Sequence, residues 1–220
     1  HTMIIVTKLV AFIFLIQGSF VTTLGEPIFL ITFGSGIDQF SKKTPADFGF
    51  TTTEKQLYNP SVKDGTFSFV NRVMNFDNKW HTDALDHTPN DTDGYMFVSS
   101  IKGKNSEIFN TTVNGLNIGY KYEFSAYLAN IMKQTSSYVK PNVRFVIRSE
   151  NQLLDQFSTG PIPEYSSMTW KKYGFTFISS SRSVTLLLIS DVKGDGNDLA
   201  MDDIEFRSLP SGFCFSGKHA

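Results

Sequence analysis

An all-β fold, a two-sheet antiparallel jelly-roll sandwich preceded by an N-terminal hydrophobic segment, is what this sequence predicts. Three observations carry that expectation. Short apolar runs recur between Gly, Pro, Asn and Asp; phenylalanine is used heavily, at 21 of 220 residues; and beyond the N-terminal apolar run no window has helical periodicity. β-branched and aromatic residues fit a pleated, half-buried surface, and regular short strands separated by turn signals point to a sandwich.

Ten strands are expected, over 28–33, 66–70, 94–99, 107–113, 120–132, 142–148, 153–158, 169–178, 183–190 and 200–207. The run from Tyr120 to Ala129 alternates, so one face is buried and the other meets solvent. Val184-Thr-Leu-Leu-Leu-Ile is more continuously apolar and reads as buried on both sides. Segment 34–65 is the longest irregular stretch, either a binding loop or an arm crossing between sheets. With neither repeat nor linker, one sandwich domain is expected over 26–208, followed by a tail at 209–220.

Residues 1–25 form a separate unit. Lys8 precedes Leu9-Val10-Ala11-Phe12-Ile13-Phe14-Leu15-Ile16, a run too short to span a bilayer and shaped like a secretory leader. Either it is removed, with cleavage between Gly18 and Gly25, or it stays as an additional apolar segment. The expected location is extracellular, with no transmembrane span in the mature chain. Cys214 is the single cysteine, so no internal disulfide forms and the fold relies on its core or on a metal. Two N-glycosylation sequons occur, at Asn90 and Asn110.

Charge excludes one class of partner. With 20 basic and 21 acidic residues the net charge is −1, which provides no electrostatic footprint for nucleic acid. Catalysis finds little support either. No Gly-x-Ser-x-Gly elbow occurs, Gly34-Ser35-Gly36 has no following helix, and Cys214 lies beyond the last strand. His81 and His87 are read as packing or hydrogen-bonding beside an acidic loop, since a catalytic zinc needs three protein ligands and an open position.

The most informative stretch is Gly196-Asn-Asp-Leu-Ala-Met-Asp-Asp-Ile-Glu-Phe, where acidic and amide side chains enter the last strand. Adjacent carboxylates repel unless a cation sits between them, and hard cations take oxygen ligands. Calcium is the expected cofactor. The alternative is that Asp202 and Asp203 cap loops through backbone N–H groups with no ion.

Asp86-His87-Thr88, Asp93-Gly94-Tyr95-Met96 and Ala200-Met-Asp-Asp-Ile occur in the order of the MAM adhesion domain, which the chain resembles. It resembles more closely the calcium-containing jelly-roll modules of secreted bacterial surface and gliding-associated proteins, relatives of carbohydrate-binding modules. Ile31-Thr-Phe-Gly-Ser-Gly, Asp64-Gly65, Gly115-Leu116, Tyr122-Glu-Phe-Ser-Ala-Tyr, Pro141-Asn-Val, Trp170 and Gly174 extend that likeness over 28–207. It implies a metal where the last strand meets the loop before Gly94. Asp202 is then the principal ligand, supported by Asp86 or Asp93, with Asp198 and Asn197 as further candidates.

Trp80, Trp170, Tyr127, Tyr138 and Tyr165 are the aromatic candidates for stacking on a sugar. Tyr138 and Tyr165 are preferred because their neighbours read as loop. The expected function is a non-catalytic binding or adhesion module at the cell surface, with a glycan or protein ligand. The competing expectation is a filament subunit whose N-terminal segment adds a strand to another copy of itself.

Overall fold

A computed structural model describes residues 25–74, 78–134 and 137–210. The described residues form eleven strands. They are β1 (Pro27–Ile31), β2 (Lys55–Gln56), β3 (Thr66–Val70), β4 (Met96–Ser100), β5 (Glu107–Asn114), β6 (Lys121–Asn130), β7 (Val143–Ser149), β8 (Gln152–Ser158), β9 (Lys171–Ile178), β10 (Ser183–Ser190) and β11 (Asp198–Ser208). They make two sheets, one of seven strands in the order β2-β3-β4-β11-β6-β9 with β1 also on β11, the other of four in the order β5-β10-β7-β8. All-β and two-layered is therefore the fold.

Two differences from the sequence expectation lie in the supposedly irregular arm. Lys55–Gln56 pairs parallel to β3, the one parallel ladder among the described strands. A one-turn 3₁₀ helix at Pro45–Phe48 is capped by Thr44, whose N–H donates to Asp47 Oδ2 (2.7 Å). Two strand residues leave no readable period, so β2 escapes pattern analysis. The segment 1–24 and the tail beyond residue 210 lie outside the described residues, and so do the expectations placed on them.

Phenylalanines fill the space between the sheets. Phe67, Phe69, Phe97, Phe109, Phe124, Phe145, Phe175 and Phe206 are fully buried, and Phe67 stacks on Phe97 with centroids 4.6 Å apart. Strand alternation would leave the other face of the large sheet in water. Instead Val70, Met96, Val98, Ala129 and Ala200 on that face are buried with Val62, Val73 and Trp80. Loops fold back over this half of the sheet and bury both faces of β4 and β11. The loop carrying residues 81–93 is one of these covers, and it brings the acidic residues to β11.

Candidate functional site

β11 carries the central carboxylates, and an irregularity in its pairing places them. Its register against β6 runs Asp202 opposite Tyr127, then shifts, resuming at Glu205 opposite Ser125. Asp203, at φ 45°, occupies the extra position. In a regular strand neighbours face opposite sides of the sheet. A bulge removes that constraint, so Asp202 and Asp203 both reach the 86–88 loop.

Asp202 is fully buried. The backbone N–H groups of His87 (2.8 Å) and Thr88 (3.3 Å) donate to its Oδ2, as does Thr88 Oγ1 (3.4 Å), and the N–H of Asp203 donates to its Oδ1 (2.9 Å). Asp203 accepts from Thr88 Oγ1 (2.9 Å) and from His87 Nδ1 (2.7 Å). Asp86 Oδ2 accepts from the Thr88 N–H as well (3.2 Å), so Asp86 and Asp202 meet on one donor. Gly94 makes room: a β-carbon there would stand 2.2 Å from Asp86 Oδ2.

Burial pushes the Asp202 carboxyl up to about 8, with Asp203 and Asp86 adding repulsion and the backbone donors opposing it. Burial, then Asp91 and Asp203, raise Asp86. Loss of hydration disfavours the charged form, and a like charge compounds it. Excess negative charge is thus gathered where hydrogen bonds only partly offset it.

The other expected ligands stand elsewhere. Asp93 faces Arg72, with Oδ1 3.5 Å from the guanidinium. Asp198 is buried at the start of β11 and accepts from Trp80 Nε1 (2.9 Å). Asn197 donates from Nδ2 to the carbonyl of Ile101 and to Ser190 Oγ. Four residues of strand, roughly 13 Å, separate Asp198 from Asp202. Among the described residues no group of three or more His, Cys, Asp or Glu side chains is placed to hold a metal ion. Asp86 and Asp202 are the two candidates that come together.

Aromatic rings border this cluster. His87 stacks on Tyr127 with centroids 3.4 Å apart and meets Trp170 edge-on at 6.1 Å. Trp170 Nε1 donates to the Leu85 carbonyl (3.1 Å), tying the start of β9 to the acidic loop. Two cavities adjoin these rings. One, of about 310 Å³, is lined by Trp170, Met168, Ser166 and Ser167 on one side and by His81, Asp83, Leu85 and Asp86 on the other. The second, of about 250 Å³, holds His87, Tyr127, Asp203 and Glu205 with Lys172. Lys172 Nζ lies 3.4 Å from Glu123 and 3.6 Å from Glu205.

Tyr165 and Tyr138 take quieter positions. The Tyr165 ring lies under the Lys171 ammonium, and its carbonyl bonds His81 Nε2 (3.1 Å). Tyr138 packs on the outer apolar cluster beneath Lys79. Of the five aromatic candidates, Trp170 and Tyr127 border cavities. Both are among the aromatic residues singled out in the sequence, but they sit in or beside strands, and a preference for loop aromatics passes over them. Of the sequons, Asn90 is exposed at φ 61°, whereas Asn110 lies within β5 with Nδ2 donating to Glu107.

No family model matches the chain, and no curated protein does. Among solved structures it is similar to an apo-form cyclase from Fischerella sp., at 12% identity over 84% of this chain and 98% of that one, with a TM-score of 0.58. A Stig cyclase from Fischerella sp. TAU aligns at 12% identity over 81% and 90%, with a TM-score of 0.53. The CBM22-1 xylan-binding domain of Paenibacillus barcinonensis Xyn10C aligns at 13% over 86% and 98%, with a TM-score of 0.43. The two cyclase alignments establish a shared β-sandwich fold. No helix among the described residues is long and apolar enough to cross a membrane.

Proposed function

We propose that the chain is a non-catalytic, extracellular glycan-binding module stabilised by calcium. Cyclases are built on this fold, and fold does not fix function, so the reading rests on the site. The observation that carries it is the 310 Å³ cavity, where an indole and a thioether face carboxylates and two serine hydroxyls. Its volume lies at the small end of ligand pockets. An apolar wall opposite hydrogen-bonding groups suits a pyranose ring, which has apolar C–H faces and a hydroxyl rim. Asp83 and Asp86 accept from sugar hydroxyls, bonds strengthened by the carboxylate charge.

Calcium suits the acidic cluster by ligand chemistry: oxygen donors, uncompensated negative charge and a buried carboxylate. Asp202 and Asp86 would hold it, and the ion would replace the proton that burial otherwise favours on Asp202. Joining β11 to the 86–94 loop, it would act as the cross-link that disulfides supply elsewhere.

Two experiments test these parts separately. Isothermal titration against mono- and oligosaccharides should find a ligand whose affinity falls about tenfold or more in Trp170→Ala, a loss of about 1.4 kcal/mol. Binding to no sugar, or equal binding by the variant, overturns the glycan assignment. Calorimetric melting in calcium and in excess EDTA should differ by several degrees; superimposable curves overturn the calcium assignment.

A further inference from the structure

A third cavity, sharing no residue with the other two, lies under the arm at 44–56. The arm is fastened to β5 by the N–H groups of Thr51 and Thr53, which donate to the carbonyls of Asn110 and Glu107 (both 2.9 Å). Beneath it Pro45, Ala46, Phe50 and Phe67 form the walls of a cleft of about 270 Å³ that Glu54 and Gln56 also line. Glu54 is 8% exposed, and its Oε2 has no hydrogen-bond partner. A hydrogen bond joins its carboxylate to Ser106. No lysine or arginine is among the residues lining this cleft.

A buried acceptor left unmatched costs free energy until a donor arrives. A carboxylate also carries charge, which a hydroxyl does not neutralise and a second anion would oppose. An ammonium group supplies both donor and countercharge, and the phenyl walls favour an apolar body attached to it. We propose that this cleft binds a small organic ammonium, an apolar group bearing a primary amine that donates N–H to Glu54 Oε2. Thr44, Thr52 and Gln56 supply further polar atoms around the amine, and the rings of Phe50 and Phe67 receive the apolar end.

The probe pair is phenethylammonium and phenethyl alcohol, which match in shape and differ in charge. Amide chemical shifts of the intact chain should move on titration with the ammonium, centred on Phe50, Glu54, Gln56 and Phe67. The alcohol should bind at least tenfold more weakly. Glu54→Gln, which retains a polar group for Ser106, should reduce ammonium affinity about tenfold and leave alcohol affinity unchanged. Should that variant fail to fold, the wild-type chain still decides the matter. Ammonium affinity must fall as acidification protonates Glu54, and alcohol affinity must stay level. Equal binding of the two probes, ammonium binding indifferent to both the substitution and pH, or no shifts at these residues, each overturns the proposal.

Discussion

Asp198 and Asp202 stand on one strand, both buried and both turned toward loops that cover the outer face of the large sheet, yet their surroundings differ. Asp198 takes its hydrogen bond from Trp80 Nε1 and has Asp64 and Asp195 as charged neighbours. Asp202 is met by three backbone N–H groups and has Asp86 and Asp203 as charged neighbours. Burial is the largest cause raising both carboxyls, and like charges add to it at each, Asp64 and Asp195 at Asp198, Asp203 and Asp86 at Asp202, which is carried up to about 8. Donor count alone therefore does not settle a buried acid's protonation. Burial sets the direction and like-charge company adds to it, and such company makes a cation favourable.

The largest test of this contrast removes the neutral partner. Trp80→Ala empties a buried site and leaves Asp198 without its indole donor, so denaturant unfolding should show a loss of about 3–5 kcal/mol. A loss near 1 kcal/mol would mean that the outer cluster contributes little to the fold.

Next comes pH dependence at the acidic end. Unfolded Asp202 titrates at its ordinary value of 3.8 and folded Asp202 near 8. Between about pH 4 and pH 8 the unfolded chain has released a proton that the folded chain keeps. In EDTA, stability attributable to this group is complete below pH 4 and falls as pH rises through that window, with a slope of at most about 1.4 kcal/mol per pH unit. Asp202→Asn should flatten the slope, and saturating calcium should do the same in the unaltered chain. Asp198 shifts in the same direction and adds to the trend. A slope of opposite sign would contradict the assignment.

A smaller effect is expected from crowding the acids. In Gly94→Ala the new β-carbon would overlap Asp86 Oδ2 and drive that carboxylate off the Thr88 N–H. The cost should be about 1–3 kcal/mol, accompanied by weaker calcium binding in titration. Smallest of all is Arg72→Ala. Its pairing with Asp93 is solvent-exposed, so thermal unfolding should change by about 0.5 kcal/mol or less.

Much of the architecture was legible in the chain. Every expected strand forms, because alternation and turn residues act locally, and the shifts at strand ends amount to one or two residues, as in β4 and β11. Through the resemblance of their motifs, Asp202 was legible beside Asp86 or Asp93, and the fold brings Asp86 to it. What escaped was non-local. Asp93, Asp198 and Asn197 have the same ligand chemistry as Asp202, and only the path of the backbone turns them toward Arg72, Trp80 and Ile101. Tyr127 and Trp170 border the cavities because loops 81–88 and 163–170 fold against the sheet there, which strand periodicity does not encode.

Composition and period determined that this chain makes two layered sheets around a phenylalanine core, since hydrophobic burial on alternating faces requires only the order of residues along each strand. The tertiary structure decided the site. The bulge at Asp203 turns two consecutive carboxylates to one loop, the returning loops bury the second face of the sheet, and the arm carries Glu54 into a buried position beside a cleft. Each depends on which distant segments meet, and the cost of burying charge is set by those neighbours.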